Sequence, residues 1–270
     1  MNKNVSFRKT YRDLIRISLI SLFWFELKRG VSSADKLPVF LGQGLICGEV
    51  SQTSAILQSR LTPTVTLDSI GNLLGASGIG RFELATNPNF TNSFYTEWMH
   101  STADHDYIIK TKVTDLQSGT RYYCRLQYGK SETAMRAASM CTFRTHAGID
   151  SAEEVSFVVL TGMNHYYFHY GKYDPMAAYK SDDKYLGYPA LATIRKIRPD
   201  FLSVLANIYF YVPSVKAYNR SIGQEKHLPS SHGRQEVLTE MGMRKKYHEQ
   251  LVQPRFIELF AYVSTYLGER

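Results

Sequence analysis

Seven short runs of alternating polar and apolar residues lie between about residues 40 and 146, and they restrict the fold of this part most strongly. Turn residues separate the runs, which are Gly44–Val50, Ser54–Leu61, Gly80–Ala85, Ser93–His100, Tyr107–Val113, Arg121–Tyr128 and Ala138–Thr145. Each run has the length of an ordinary strand, and the alternation is typical of strands with one face in the core. Seven strands at this spacing predict a β-sandwich over residues 40–146.

The segment Leu116–Arg125 carries the clearest local signal in this region. A leucine, a turn with glycine and then Tyr122 resemble the tyrosine corner of fibronectin type III-like sandwiches, in which the tyrosine hydroxyl bonds to upstream backbone. The alternation also predicts that Tyr122, Cys124, Leu126 and Tyr128 share one face of a strand.

The periodicity changes after about residue 150, beyond a polar linker that contains Gly148. Val155–Leu160 and Phe201–Leu205 are short apolar runs, typical of buried parallel strands. Pro189–Ile197, between them, has apolar residues at helical spacing. Strand, helix and strand predict a right-handed βαβ unit. We therefore expect residues 151–270 to begin an α/β core, with functional loops at the carboxyl ends of the two strands.

Two further helices are predicted towards the C-terminal part, over Gln235–Val252 and Phe256–Tyr266. In the loop that follows the first apolar strand, aromatic crowding and Gly171 favour an irregular turn. His165 and His169 in this loop are four residues apart, the spacing at which helical histidines can share a metal. The alternative is two histidines in an aromatic wall, which the lack of a paired carboxylate favours.

Three stretches resemble the alkaline phosphatase D (PhoD-like) family of metallophosphatases. Gly48–Thr62 and Phe82–Thr91 resemble its N-terminal domain, and Met243–Ala261 resembles a helical segment that precedes an Asp-Asp-His motif in the family. The resemblance covers about residues 40–266. It implies a metallophosphatase-like α/β core, incomplete in this chain, and metal-dependent hydrolysis of a phosphate ester. It also implies iron and calcium as cofactors.

The positions where the family holds its metals differ in this chain. After the second apolar strand the family has a Gly-Asp step, then Asn-x-Tyr and a further Asp, whereas this chain has Ala206, Asn207, Tyr209 and Tyr211. Asn164 matches the family's Asn after the first strand. Asn164, Asn207 and Tyr209 are therefore the candidate pocket residues, with His165 and His169 as weak metal candidates.

Amide and phenol groups bind hard cations weakly without carboxylates. We therefore expect a family member that is inactive as written. The alternative is a non-catalytic binding module, or the remnant of a truncated gene, since the Asp-Asp-His motif does not occur in the sequence. If the α/β core is incomplete, the strands that would pair with Phe201–Leu205 are missing, and this strand would leave an unpaired sheet edge.

Residues 1–34 predict an export signal. A basic start precedes the apolar run Ile17–Phe25, which is too short for a standard membrane span, and Ser32 and Ala34 are small residues before a cleavage site. We expect export to the periplasm or the extracellular space, without stable membrane insertion once the signal is cleaved. The alternative is an uncleaved N-terminal anchor or a frayed amphipathic helix.

The charge and the cysteines limit the remaining classes of function. The net charge is +8, but residues 1–34 hold seven basic and two acidic residues, so the rest of the chain is only weakly basic and a nucleic-acid partner is not expected.

Cys47, Cys124 and Cys141 lack metal-ligand spacing. They allow one disulfide with one thiol left over. Cys124 and Cys141 are expected on neighbouring strands, where they could equally be small apolar core residues.

Overall fold

Two sheets form most of the structure, a computed structural model that describes residues 38–171, 175–205 and 240–268. The strands are β1 (Phe40–Gly48), β2 (Ala55–Thr62), β3 (Gly78–Ala85), β4 (Phe94–Tyr95), β5 (Met99–Ser101), β6 (Ile108–Val113), β7 (Arg121–Ser131), β8 (Ala134–Ala137), β9 (Cys141–Arg144), β10 (Phe157–Leu160), β11 (Phe201–Leu205) and β12 (Ser264–Gly268). The helices are α1 (His165–Tyr170), α2 (Pro189–Ile197), α3 (Glu240–Leu251) and α4 (Pro254–Phe260).

The first sheet has the strand order β10-β11-β12-β1-β2-β6 and combines two kinds of pairing. Strands β10, β11, β12 and β1 are parallel neighbours. Strands β1, β2 and β6 are antiparallel. Helix α2 lies between β10 and β11 in the chain, so the strand, helix and strand predicted from the sequence are all present.

The second sheet is antiparallel, with the order β4-β3-β7-β8 and with β5 and β9 paired to β3 and β7. One apolar cluster contains buried residues from strands of both sheets, which shows that the second sheet packs on the antiparallel half of the first. Tyr122, Cys124, Leu126 and Tyr128 are all buried in this cluster, as their alternation predicts. The tyrosine corner is also confirmed, since the Gln117 N–H donates to the Tyr122 hydroxyl at 2.8 Å.

A second apolar cluster joins the helices to the parallel strands. It contains Leu191 and Ile194 of α2, Phe256 and Leu259 of α4, and Leu202 of β11, all buried. Proline occupies the first turn of both α2 and α4, where its missing N–H has no intrahelical partner to lose. Helix α2 has the bounds that the sequence predicts.

The prediction of a helix over Phe256–Tyr266 is wrong in its second half. Helix α4 ends at Phe260, and Ser264–Gly268 forms β12, hydrogen-bonded to β11 on one side and to β1 on the other. Backbone pairing on both sides outweighs the local helical pattern. The prediction of an unpaired edge at Phe201–Leu205 is also wrong, since β11 lies between β10 and β12.

The structure is thus mixed and rich in sheet, with few helices, as the sequence predicts. Strands from both predicted domains, 40–146 and 151–270, belong to the first sheet, and the described residues lie in one compact unit. Among the described residues, no helix is both long and apolar enough to cross a membrane. The predicted signal, residues 1–34, lies outside the described residues.

Candidate functional site

The loop after β10 leads into α1, at the sheet end where the sequence predicts a site. Asn164 is the N-cap of α1, and its Oδ1 accepts a hydrogen bond from the Tyr167 N–H at 3.0 Å. Gly171 ends the helix with φ 77, a conformation that glycine adopts without a steric cost. The cap and the glycine explain why His165–Tyr170 is a helix, so the irregular turn predicted from the aromatic crowding is wrong.

Asn164 is the one candidate pocket residue within the described part of the chain. Its carboxamide oxygen is engaged by the backbone of its own helix. Asn207 and Tyr209 lie outside the described residues. The proposed grouping of Asn164, Asn207 and Tyr209 therefore stays a prediction.

The two histidines of α1 lie side by side, with ring centroids 4.2 Å apart. Burial, which is the largest cause, and the neighbouring His169 and Lys246 together lower the pKa of His165 to about 3. Burial also lowers the pKa of His169, in the same direction as the nearby Lys184 ammonium. Both rings are therefore neutral at pH 7, the protonation state in which an imidazole can bind a metal.

Aromatic rings surround this pair and fix α1 against its neighbours. The Phe168 ring lies 4.9 Å from the Tyr179 ring and 4.5 Å from the Tyr188 ring, measured between centroids. The Lys184 ammonium donates to the His169 carbonyl at 2.5 Å. These contacts are those of a packed wall, the alternative that the sequence leaves open for the two histidines.

The residues described do not fit an iron or calcium site at α1. The Nε2 atom of His169 is buried without a hydrogen-bond partner in the described part, which a metal ion could relieve. However, the one group of three or more His, Cys, Asp or Glu side chains within ligand distance of one another, among the residues described, is formed by the cysteines. Calcium and non-haem iron depend on carboxylate oxygens. No described carboxylate joins the two histidines within ligand distance.

A groove of about 830 Å³ lies away from α1, between α3 and the β5–β6 segment. Its lining includes Gln43, Asp106, Lys110, Arg244 and His248. The Nε2 atom of His248 lies 2.6 Å from Oδ2 of Asp106, which ties α3 to the segment before β6. These two residues are 142 positions apart, so no local pattern in the sequence indicates the pair.

Arg60 holds the other side of Asp106. Its Nη2 donates to Asp106 Oδ1 at 2.9 Å, its Nε to the Asp106 carbonyl at 2.9 Å, and its Nη1 to the Leu73 carbonyl at 3.0 Å. Asp106 and Tyr107 both have positive φ, which surrounding contacts must maintain. Burial alone would raise the pKa of Asp106, but hydrogen bonds from His248 and Arg60 hold it below its ordinary value.

Gln43 occupies an irregular part of β1. The pairing register of β1 with β2 shifts between Leu41 and Leu45, which is the signature of a β-bulge. The side chains of Thr62 and Ser59 bond the backbone there, at Gly42 N–H (3.0 Å) and the Gly44 carbonyl (2.7 Å). The Nε2 atom of Gln43 is buried without a hydrogen-bond partner among the described residues.

Comparison with known proteins shows what this chain resembles. A family model described as the N-terminal domain of PhoD-like phosphatases matches residues 28–147. This part of the chain is similar to that domain. A solved structure described as PhoD has 14% sequence identity and a TM-score of 0.58, over 85% of this chain and 39% of that chain. This chain thus spans about two fifths of the length of that protein, and at this identity the likeness shows the fold alone.

Two further solved structures are similar at a lower level. Purple acid phosphatase PPD1 from yellow lupin (Lupinus luteus) seeds has 8% identity and a TM-score of 0.45, over 86% of this chain and 34% of that chain. The fibronectin type III domain of human fibronectin type III domain containing protein 3 has 11% identity and a TM-score of 0.28, over 41% and 88%. No curated protein sequence matches the chain.

Proposed function

We propose that this PhoD-like chain, with the residues present here, is a non-catalytic member of the phosphatase family. One observation carries the proposal: at the end of β10 the matched Asn164 caps α1 with its side-chain oxygen, and among the described residues no group of three His, Asp or Glu side chains comes within shared-ligand distance. Hydrolysis by two metals needs a bridging carboxylate and a metal-bound hydroxide. The sequence from Ala206 to Pro213 adds no Asp or Glu.

The architecture supports a scaffold role for this part of the chain. We interpret the antiparallel strands of residues 40–146 as a fibronectin type III-like β-sandwich, on the basis of the tyrosine corner and the shared core. We interpret β10, α2, β11 and β12 as part of a metallophosphatase-like α/β core. The ligand that this ancestry favours is a phosphate ester. The apolar run and cleavage site within residues 1–34 support export to the periplasm or the extracellular space.

The test is metal content and hydrolysis measured on the same sample. The purified chain is incubated with iron and calcium, separated from free ions, and assayed with bis(4-nitrophenyl) phosphate. We expect less than one metal ion per ten chains and a rate equal to that of buffer.

One or more ions per chain, together with turnover, would overturn the proposal. A matched preparation of Asn164→Ser, which keeps the helix cap but removes the amide, controls for a contaminating phosphatase. Turnover that is lost in this variant would assign Asn164 to a working site and restore the metal-dependent phosphodiesterase as the function.

A further inference from the structure

All three cysteines of the chain meet at one point between the two sheets. Cys47 lies on β1 of the first sheet, and Cys124 and Cys141 lie on β7 and β9 of the second. Cys124 and Cys141 form a disulfide, with 5.2 Å between their Cα atoms. The Sγ atom of Cys47 lies 3.5 Å from that of Cys124 and 3.6 Å from that of Cys141. The free thiol therefore touches both sulfurs of the disulfide.

Each of these side chains is at most 1% exposed, so small reagents and other thiols cannot reach the disulfide in the folded protein. Among the residues that the structure describes, the thiol in contact with it is that of Cys47. Disulfides rearrange by attack of a thiolate on one sulfur of the bond, and the rate depends on access. Here the attacking group is supplied by the fold itself.

We propose that the three cysteines form one exchange site, in which the disulfide moves from Cys124–Cys141 to a pairing that includes Cys47. In the first step the Cys47 thiolate attacks Cys124 Sγ. The Cys47–Cys124 bond forms, the Cys124–Cys141 bond breaks, and Cys141 leaves as a thiolate that takes up the proton lost by Cys47. Attack on Cys141 Sγ gives the Cys47–Cys141 pairing in the same way. Neither step consumes an oxidant or a reductant.

The Cys47 sulfur lies beside the disulfide, almost equally far from its two sulfurs, whereas exchange needs the three sulfurs in line. A disulfide bond is about 2.0 Å long, so the Cys47 sulfur has to approach its target by about 1.5 Å while the cystine side chains rotate to bring the leaving sulfur opposite it. Exchange also changes the links between the strands. Cys124 and Cys141 are direct partners in the β7–β9 ladder, so their disulfide joins two strands that are already hydrogen-bonded. A bond to Cys47 would instead link β1 of one sheet to β7 or β9 of the other.

Loop length determines how strongly each pairing stabilises the fold against unfolding. The Cys124–Cys141 disulfide closes a loop of 17 residues, whereas Cys47 is separated by 77 and 94 residues from the other two. Because the stabilisation by a disulfide rises with the logarithm of loop length, a pairing with Cys47 would raise the folding equilibrium constant by about tenfold more than the observed one. Within the folded protein this entropy does not choose between the pairings, since the chain is ordered in each of them, so packing geometry sets the ratio of isomers.

The rate should depend strongly on pH. Burial raises the pKa of the Cys47 thiol to about 12, so the nucleophilic thiolate is rare at pH 7. Each unit of pH between 7 and 10 should raise the thiolate fraction, and hence the exchange rate in the folded protein, by about tenfold.

Disulfide mapping tests the proposal directly on the full chain. Trypsin places the cysteines in separate peptides, residues 37–60, 122–125 and 137–144. The folded protein is held at pH 7 or pH 9 without added thiol, unfolded in guanidinium chloride at mildly acidic pH in the presence of N-ethylmaleimide, and digested without reduction. Mass spectrometry should detect peptide 37–60 linked to 122–125 or 137–144, sooner at pH 9. Peptide 37–60 found only in alkylated form at both pH values would overturn the proposal.

Single variants give an independent measurement. When Cys124→Ser and Cys141→Ser are refolded with oxidised glutathione, the remaining cysteine should join Cys47 and leave no free thiol by titration with Ellman's reagent in denaturant. Cys47→Ser is the matched control, in which the observed disulfide forms and exchange stops. Two free thiols in both variants, under conditions where the control has none, would also overturn the proposal. Circular dichroism identifies any variant that does not fold, and the mapping of the unchanged chain does not depend on the variants.

Discussion

Replacing Arg60 with methionine tests whether the buried contact with Asp106 stabilises the fold. The Arg60 side chain is 3% exposed and that of Asp106 is 15% exposed. Methionine retains most of the aliphatic volume of arginine but none of its donors. The substitution therefore removes the hydrogen bonds to Asp106 and Leu73 while leaving the apolar packing largely in place.

The expected loss follows from these contacts. Breaking a buried ion pair by removing one partner costs about 3–5 kcal/mol, because a charge is left without compensation. His248 still contacts the Asp106 carboxylate in the variant, so we place the loss at the lower end, about 3 kcal/mol. For a unit of this size, 1 kcal/mol shifts the melting temperature by roughly 2–4 °C, which gives a decrease of about 9 °C.

Chemical denaturation and calorimetry of Arg60→Met measure this loss. Arg244→Met is the matched control, since Arg244 pairs at 2.5 Å with Glu240, whose side chain is 78% exposed, and such pairs contribute about 0.5 kcal/mol or less. A loss below about 1 kcal/mol in Arg60→Met, or one equal to that of the control, would refute the reasoning.

The pH dependence gives a second check on the same contact. The folded state lowers the pKa of Asp106, so the carboxylate stabilises the fold above its unfolded pKa of about 3.9, and this contribution is lost as the pH falls through the folded value. The difference in unfolding free energy between the unchanged protein and Asp106→Asn should have its full value at pH 6 and fall to zero in strong acid. A constant difference over that range would contradict the assignment.

Three further substitutions follow from individual hydrogen bonds. Asn164→Ala should destabilise the protein by about 1 kcal/mol through loss of the cap on α1, whereas Asn164→Ser should not, as measured by urea denaturation. Tyr122→Phe should cost about 1 kcal/mol because the Gln117 N–H loses its acceptor, and an unchanged midpoint would disprove the corner's contribution. Gln43→Met should raise the stability by about 1 kcal/mol, since it removes a buried donor without a partner among the described residues; a loss instead would show that a ligand or water in the groove satisfies the amide.

Local signals predicted the elements that depend on a few neighbouring residues. Tyr122 and its upstream turn lie within six positions of each other, so their hydrogen bond can be read from the order of residues. Pro189 and the apolar spacing after it determine α2 in the same way. The buried face of β7 follows from simple alternation.

Elements that depend on distant partners could not be predicted. Ser264–Gly268 continues a helical pattern locally, and only its pairing with β1 and β11 makes it a strand. The contact of Asp106 with His248 and the meeting of Cys47 with the disulfide likewise join residues far apart in the chain. Helix α1 is hidden in the sequence for another reason: Asn164 matches a pocket position of the family, and the same side chain is the cap at which the helix begins.

The position of β12 has a consequence for how the chain folds during synthesis. β12 leaves the ribosome after every other described strand, yet it lies inside the first sheet, with Thr265 beside Gly48. Until then, β1 and β11 each present an unpaired edge to solvent for the time needed to translate the rest of the chain. Contacts this distant in the chain also form slowly. The nascent chain should therefore depend on chaperones that cover sheet edges, and refolding should be limited by the insertion of β12 between β1 and β11.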